Sequence, residues 1–192
     1  PVEALAVLGE AVDRAADHVP ARLLRAEVLA GLGRRDEALA DLDEAARLDP
    51  RSTGVLFQRG NVHAESGDHD RAIADHTDLI RLDSEAAGAF CNRGNSHARL
   101  GDLEQALADL DRAVEIDPDD PLTLSNRASV HVRLGQPDQA LADYAEVLRL
   151  DPASARAYCS RGLLLAGQGE IERALADLDQ AVELDSDDAR TL

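Results

Sequence analysis

Residues 101–118 read GDLEQALADLDRAVEIDP, and the pattern returns as GRRDEALADLDEAARLDP at 33–50 and as GEIERALADLDQAVELDS at 169–186. The tetrad Ala-Leu/Ile-Ala-Asp begins at Ala38, Ala72, Ala106, Ala140 and Ala174, each start 34 residues after the last. A Gly stands five residues before each tetrad, at Gly33, Gly67, Gly101, Gly135 and Gly169. An Asp stands eight residues beyond the tetrad's own Asp, at Asp49, Asp83, Asp117, Asp151 and Asp185. Copies in one phase, with no insertion between them, make this repeat the unit from which the fold is read.

Each unit reads as two helices. In the fourth, Asp120 is placed to N-cap the first helix, and Pro121 suits its first turn, where a missing N–H costs nothing. Gly135 ends that helix as a residue free to take positive φ. Pro137 opens the second, whose Ala140, Leu141, Tyr144, Val147 and Leu148 fall on one helical face. Asp151-Pro152 stops it. In the third unit, Asp102 and Gln105 have the spacing of a capping box. Composition agrees: hydrophobic residues make up 44% but aromatics only 2%, so the core must be built of Ala, Leu, Val and Ile. Small side chains suit closely packed helices, and Ala and Leu are strong helix formers.

These residues resemble the tetratricopeptide repeat family, whose period is 34 residues. With units starting at Val19, Thr53, Ala87, Pro121 and Ala155, the family's small eighth residue is Ala26, Gly60, Gly94, Ala128 and Gly162. Its large residue at twenty-four is Leu42, His76, Leu110, Tyr144 and Leu178, while its Trp at four is replaced by Arg22, Leu56, Phe90, Leu124 and Tyr158. The resemblance covers essentially the whole chain. It implies an all-α fold, a right-handed superhelical solenoid of helix-turn-helix hairpins, with repeats at 19–52, 53–86, 87–120, 121–154 and 155–188. Residues 1–18 then form the second helix of a truncated preceding repeat, and 189–192 the start of a truncated further one. With no Met and a start at Pro1, the expectation is a segment of a longer protein. In the family, first-helix positions 2, 5, 6, 9, 12 and 13 line a concave groove, and positions 4, 7, 8, 11 and 14 pack inward.

The resemblance therefore implies a non-enzymatic scaffold that holds a peptide or helix of a partner protein. The groove positions carry Gln58, Asn61, Asn92, Asn95, Arg99, Ser125, Asn126, Arg133 and Arg156. Neighbouring units should bring Asn61 toward Asn92 and Asn95 toward Asn126. Side-chain amides can satisfy the backbone of an extended peptide without charge. Some family members grip a C-terminal carboxylate with Asn at positions nine and six plus flanking cations. Asn95 and Asn126 match its Asn part, but position five holds Leu23, Phe57, Cys91, Ser125 and Cys159 instead of Lys. The alternative function is a structural spacer or a self-association module, with uncapped apolar ends stacking between chains.

Other side chains read as structure. Position seven is Arg in every unit (Arg25, Arg59, Arg93, Arg127 and Arg161) and lies on the inward stripe. A buried guanidinium needs a partner, and the tetrad Asp recurs equally, which predicts Arg–Asp pairs within or between adjacent units. His63, His97 and His131 share inward position eleven, while His69 and His76 replace aromatics. They read as core fillers, with a zinc site from His63, His69 and His76 as the other reading. Cys91 and Cys159 lie two whole units apart, too far to bridge, and read as small groove residues.

The formal charge is −18 and every base is Arg. The five first helices sum to +7 and the rest of the chain to −25, a mildly basic groove layer against an acidic outer face. That balance argues against general binding to nucleic acid or to an anionic membrane. No GxSxG, HExxH or P-loop spacing is present, so neither catalysis nor a cofactor is expected. The lack of a CxxC or a secretory apolar stretch points to a reducing, cytoplasmic compartment.

Overall fold

A computed structural model describes residues 2–188. They form two compact units, divided between Gly101 and Asp102. The expected opening of a further repeat at 189–192 lies outside the described residues. The first unit contains α1 (Val2–Arg14), α2 (Val19–Gly31), α3 (Arg35–Leu48), α4 (Thr53–Glu65), α5 (His69–Leu82) and α6 (Ala87–Leu100). The second contains α7 (Leu103–Ile116), α8 (Pro121–Arg133), α9 (Pro137–Leu150), α10 (Ala155–Gly167) and α11 (Ile171–Asp188). No strand occurs among the described residues. Within each unit every helix packs on the next in sequence, and in the first unit α2 also meets α4 and α4 meets α6. The fold is the all-α hairpin solenoid that the repeat predicts.

Local chemistry starts and stops these helices. Asp120 accepts hydrogen bonds from the amides of Leu122 and Thr123 at the head of α8, and Asp68 accepts from Arg71 N at the head of α5. Asp102 sits at the N-cap of α7 but caps no amide of that helix, so the expected Asp102–Gln105 capping box does not form. Gly33, Gly67, Gly101, Gly135 and Gly169 all take φ between +70° and +92°, which no other residue of the described chain adopts. A Cβ there would crowd the following carbonyl, which is why a Gly recurs in that one turn. At the far end of the second helices, Asp49, Asp83 and Asp151 bend back to accept the amide two residues on, at Arg51, Glu85 and Ala153. The recurring Asp thus closes a side-chain turn that replaces the next helical hydrogen bond.

In α11 that stop fails: the helix runs through Asp188, past Asp185 and Ser186. Ser84 occupies the same register as Ser186, yet α5 stops at Leu82, where α6 follows and packs on it. No described helix follows α11.

The core is made of small contacts. The tetrad's first Ala is fully buried at Ala38, Ala72, Ala106 and Ala140. Position eight meets position twenty-four across the hairpin: a Cβ on Gly60 would lie 2.8 Å from the ring of His76, and one on Gly162 would lie 3.0 Å from Leu178 Cγ. In the first unit, Ala26, Leu29, Ala38, Leu42, Ala45, Val55 and Val62 form one cluster. In the second, Leu124, Val147, Leu148 and Ala157 form one, and Ala128, Ala140 and Tyr144 another. Burial on the first helices is wider than the predicted stripe. Position three is buried in every repeat (Ala21, Val55, Ala89, Thr123 and Ala157), because neighbouring helices cover that side too. Position fourteen, predicted inward, is exposed at Leu32, Ser66, Leu100 and Gln168, where the chain leaves the helix.

Four predicted Arg–Asp pairs are in place, each a two-pronged fork. Arg25 binds Asp41 at 2.6 Å through both Nε and Nη2. Arg59 binds Asp75 at 2.9 and 2.5 Å, Arg127 binds Asp143 at 3.0 and 2.6 Å, and Arg161 binds Asp177 at 2.7 and 2.8 Å. Hydrogen bonding to these carboxylates raises the pKa of all four arginines. The Nη1 atom also ties adjacent repeats together: Arg59 reaches Asp43 at 3.1 Å, Arg93 reaches Thr77 at 3.1 Å and Arg127 reaches Asp111 at 3.0 Å. Arg93 belongs to the first unit and its tetrad Asp109 to the second.

Candidate functional site

In the first unit, α5 packs on both α4 and α6, and α4 also meets α6. Between them is a cavity of about 390 Å³ lined by Asn61, Ala64, Glu65, His69, Asn92, Asn95, Ser96 and Arg99. Four predicted groove residues meet there: Asn61, Asn92, Asn95 and Arg99. Gln58 is half-buried on α4 but is not among the lining residues. Asn92 Nδ2 donates to Asn61 Oδ1 at 2.8 Å, so the expected approach of these two amides occurs. Asn95 and Asn126 belong to different units.

Buried groups hold the Asn pair from behind. His76, on α5, has no exposed surface, and its Nε2 lies 3.2 Å from Asn61 Oδ1. Burial lowers the His76 pKa to about 4, so the ring is neutral at pH 7. An amide oxygen can only accept, so the single ring proton sits on Nε2 and is donated to Asn61 Oδ1. Phe57 meets the His76 ring edge-on, with centroids 5.9 Å apart.

In the second unit, α8 and α10 form a cavity of about 730 Å³, lined by Ser129, Val132, Arg133, Gly135, Pro137, Tyr144, Ser160, Leu163, Leu164, Gly167 and Gln168. Arg133 is the predicted groove residue that reaches it. Ser125 and Asn126 are half-buried on α8 and Arg156 is exposed on α10, all three outside this lining. Ser125 Oγ instead donates to Pro121 O at 2.7 Å, closing on its own helix.

The two cavities occupy one register. Positions 9, 12, 13 and 17 of one repeat and 6, 9, 10 and 13 of the next supply Asn61, Ala64, Glu65, His69, Asn92, Asn95, Ser96 and Arg99 in the first unit. The same positions supply Ser129, Val132, Arg133, Pro137, Ser160, Leu163, Leu164 and Gly167 in the second. One backbone arrangement therefore presents a polar cavity and an apolar one, and side chains set the difference.

Sequence reasoning missed Ser96 and misplaced His69. Ser96 occupies position ten, which is apolar elsewhere (Val28, Val62, Val130 and Leu164), so a polar residue there was the available signal. His69 is not a core filler: it lines the cavity mouth at the head of α5. Among the described residues no three His, Cys, Asp or Glu side chains form a metal site, which removes the zinc reading of His63, His69 and His76. His63 and His131 are buried, and His131 Nδ1 is bound to Gln136 Oε1 at 2.7 Å. Cys91 is buried and Cys159 exposed, so they do not share one groove environment. No described helix is long and apolar enough to cross a membrane.

Comparison with known proteins adds the context. A family model described as tetratricopeptide repeat matches residues 3–53, 57–121 and 126–189. No individually curated protein matches the chain. Among solved structures, YrrB, described as a TPR protein with an unusual peptide-binding site, superposes with a TM-score of 0.72 at 25% identity, covering 96% of this chain and 98% of its own. MamA from Desulfovibrio magneticus RS-1 gives a TM-score of 0.80 at 20% identity, covering 88% of this chain and 96% of its own. A thermophilic TPR protein of Thermus thermophilus gives 0.71 at 23% identity, covering 86% and 91%.

Proposed function

Because this chain belongs to the tetratricopeptide repeat family, we propose that it is a non-enzymatic interaction scaffold whose first helices hold an extended segment or helix of a partner protein. One observation carries this reading: register-equivalent cavities open between successive first helices in both units. Each is large enough for partner side chains, and each has polar groups at its edge to bind a passing backbone. YrrB, which shares the fold, is described by its peptide-binding site. In the first unit Asn61, Asn92 and Asn95 supply the amide contacts, with Gln58 and Arg99 beside them; in the second, Asn126 supplies one, with Ser125, Arg133 and Arg156. The charge of −18 disfavours nucleic acid and anionic membrane as the partner.

The test uses peptides selected from a random display library against the intact chain. Their affinities are then measured for the Asn95→Ala/Asn126→Ala variant by calorimetry. We expect a loss of roughly tenfold, the size of one or two neutral hydrogen bonds. Unchanged affinity in a variant with an unaltered melt would refute the groove assignment.

A second reading, self-association, draws on Ile171, Leu175 and Val182, which are 53–68% exposed on α11. An apolar face of this kind can stack on another copy. Light scattering over a concentration series checks it, and a monomer throughout removes it.

A further inference from the structure

The polar cavity of the first unit contains groups that its own chain leaves unsatisfied. Ser96 is 1% exposed and lines the cavity, yet its Oγ has no hydrogen-bond partner. His69 lines the cavity too, and its Nδ1 is also buried without one. A buried hydroxyl left unpaired is costly, and a guest that pairs with it removes that cost.

The Asn pair adds direction. Asn61 Oδ1 is committed twice, to Asn92 Nδ2 and to the proton on His76 Nε2. Among the described residues that leaves Asn61 Nδ2 as a donor and Asn92 Oδ1 as an acceptor, on two linked amides. Glu65 and Arg99 both line the mouth, and the exposed Arg35, 3.4 Å from Glu65, offsets the acid only in part. An anion would gain from Arg99 and lose against Glu65. A neutral group carrying one donor face and one acceptor face meets no such opposition. The second unit shows what the register does without these groups: Leu163 and Leu164 stand where Asn95 and Ser96 stand in the first.

We infer that the cavity between α4 and α6 is a specificity pocket for a primary carboxamide, the side chain of a Gln or Asn in the bound partner segment. The carboxamide oxygen accepts from Asn61 Nδ2 and Ser96 Oγ, and its NH2 donates to Asn92 Oδ1 and His69 Nδ1. Residues 95 and 96 set the choice between a polar and an apolar guest. The inference rests on the interaction reading above and sharpens it.

The experiment titrates the 15N-labelled chain with four small probes: Ac-Gln-NHMe, Ac-Glu-NHMe, Ac-Ala-NHMe and Ac-Nle-NHMe. The probes share their backbone amides, so differences report the side chain. We expect Ac-Gln-NHMe to shift the side-chain amide resonances of Asn61 and Asn92 and to bind at least about fivefold more tightly than the other three, the size of one neutral hydrogen bond. Ser96→Ala should weaken that binding, and Asn95→Leu/Ser96→Leu, which installs the residues of the α10 register, should abolish it. If the double variant fails to fold, Ser96→Ala alone carries this arm. Equal or tighter binding of Ac-Glu-NHMe overturns the inference in favour of an anion site. Equal binding of Ac-Ala-NHMe, or no shift with any probe, overturns it as well. Display-selected peptides that still lose affinity in Asn95→Ala/Asn126→Ala would leave the scaffold reading standing, so the two failures are separable.

Discussion

At the scale of single residues, His76 shows how far one substitution can depart from its repeat. The equivalent position is Leu in three other repeats, and here a fully buried imidazole fills the space left by Gly60. Its pKa is lowered from the ordinary 6.5 to about 4, chiefly by burial. Between those values the unfolded chain binds the proton and the folded chain does not. Stability from this group is therefore complete above about pH 6.5 and falls as the pH drops toward 4. The shift corresponds to about 3 kcal/mol at most. The expected outcome is that the chain loses stability between pH 7 and pH 5 in urea melts, and that His76→Leu loses clearly less. Equal losses would mean that His76 titrates normally in the fold. The periodicity announced a large residue at this position, but that it would be neutral and would orient Asn61 depended on contacts from α4.

At the scale of elements, the Arg–Asp forks join the two helices of a hairpin, and those of Arg59 and Arg127 also reach the hairpin before. Arg127 binds Asp143 in its own repeat and Asp111 in the preceding one. Its side chain is 19% exposed and that of Asp143 is 7% exposed. Removing one member of a buried pair strands the other, at a cost of about 3 kcal/mol. Arg127→Ala should therefore lower the unfolding free energy by about that amount in chemical denaturation. Arg47→Ala, which breaks an exposed pair with Glu44 one turn away, should leave the midpoint where it is. Similar effects from the two variants would contradict a structural role for the forks. Recurrence in every unit made this pairing legible in advance, whereas the extra link to the preceding repeat was not. That link needs a side-chain acceptor at a position where Asp43, Thr77 and Asp111 supply one and Ala145 does not.

At the scale of the molecule, a charge of −18 with no Lys sets a field that opposes compaction. The buried forks are screened little by salt, while the exposed acidic surface is screened strongly. Raising ionic strength from about 0.01 M to about 1 M shortens the Debye length from about 30 Å to about 3 Å. The Tm should rise over that range. A fall would show that exposed ion pairs outweigh the self-repulsion.

The sequence by itself determined the hairpins, their phase and the Arg–Asp forks, because a 34-residue period repeats the same local chemistry and nearest-neighbour packing each time. Tetrad alanines, turn glycines and stop aspartates act within one hairpin, so their positions suffice to read them. The tertiary structure alone decided which groove residues share a cavity. Asn61, Asn92, Asn95 and Arg99 converge, while Ser125 turns back onto its own helix. It also decided that Ser96 and His69 belong with the converging set and that Ser96 Oγ and His69 Nδ1 find no partner within the chain. These outcomes depend on rotamers and on contacts between residues some 31 positions apart, such as Asn61 and Asn92, which no local pattern encodes.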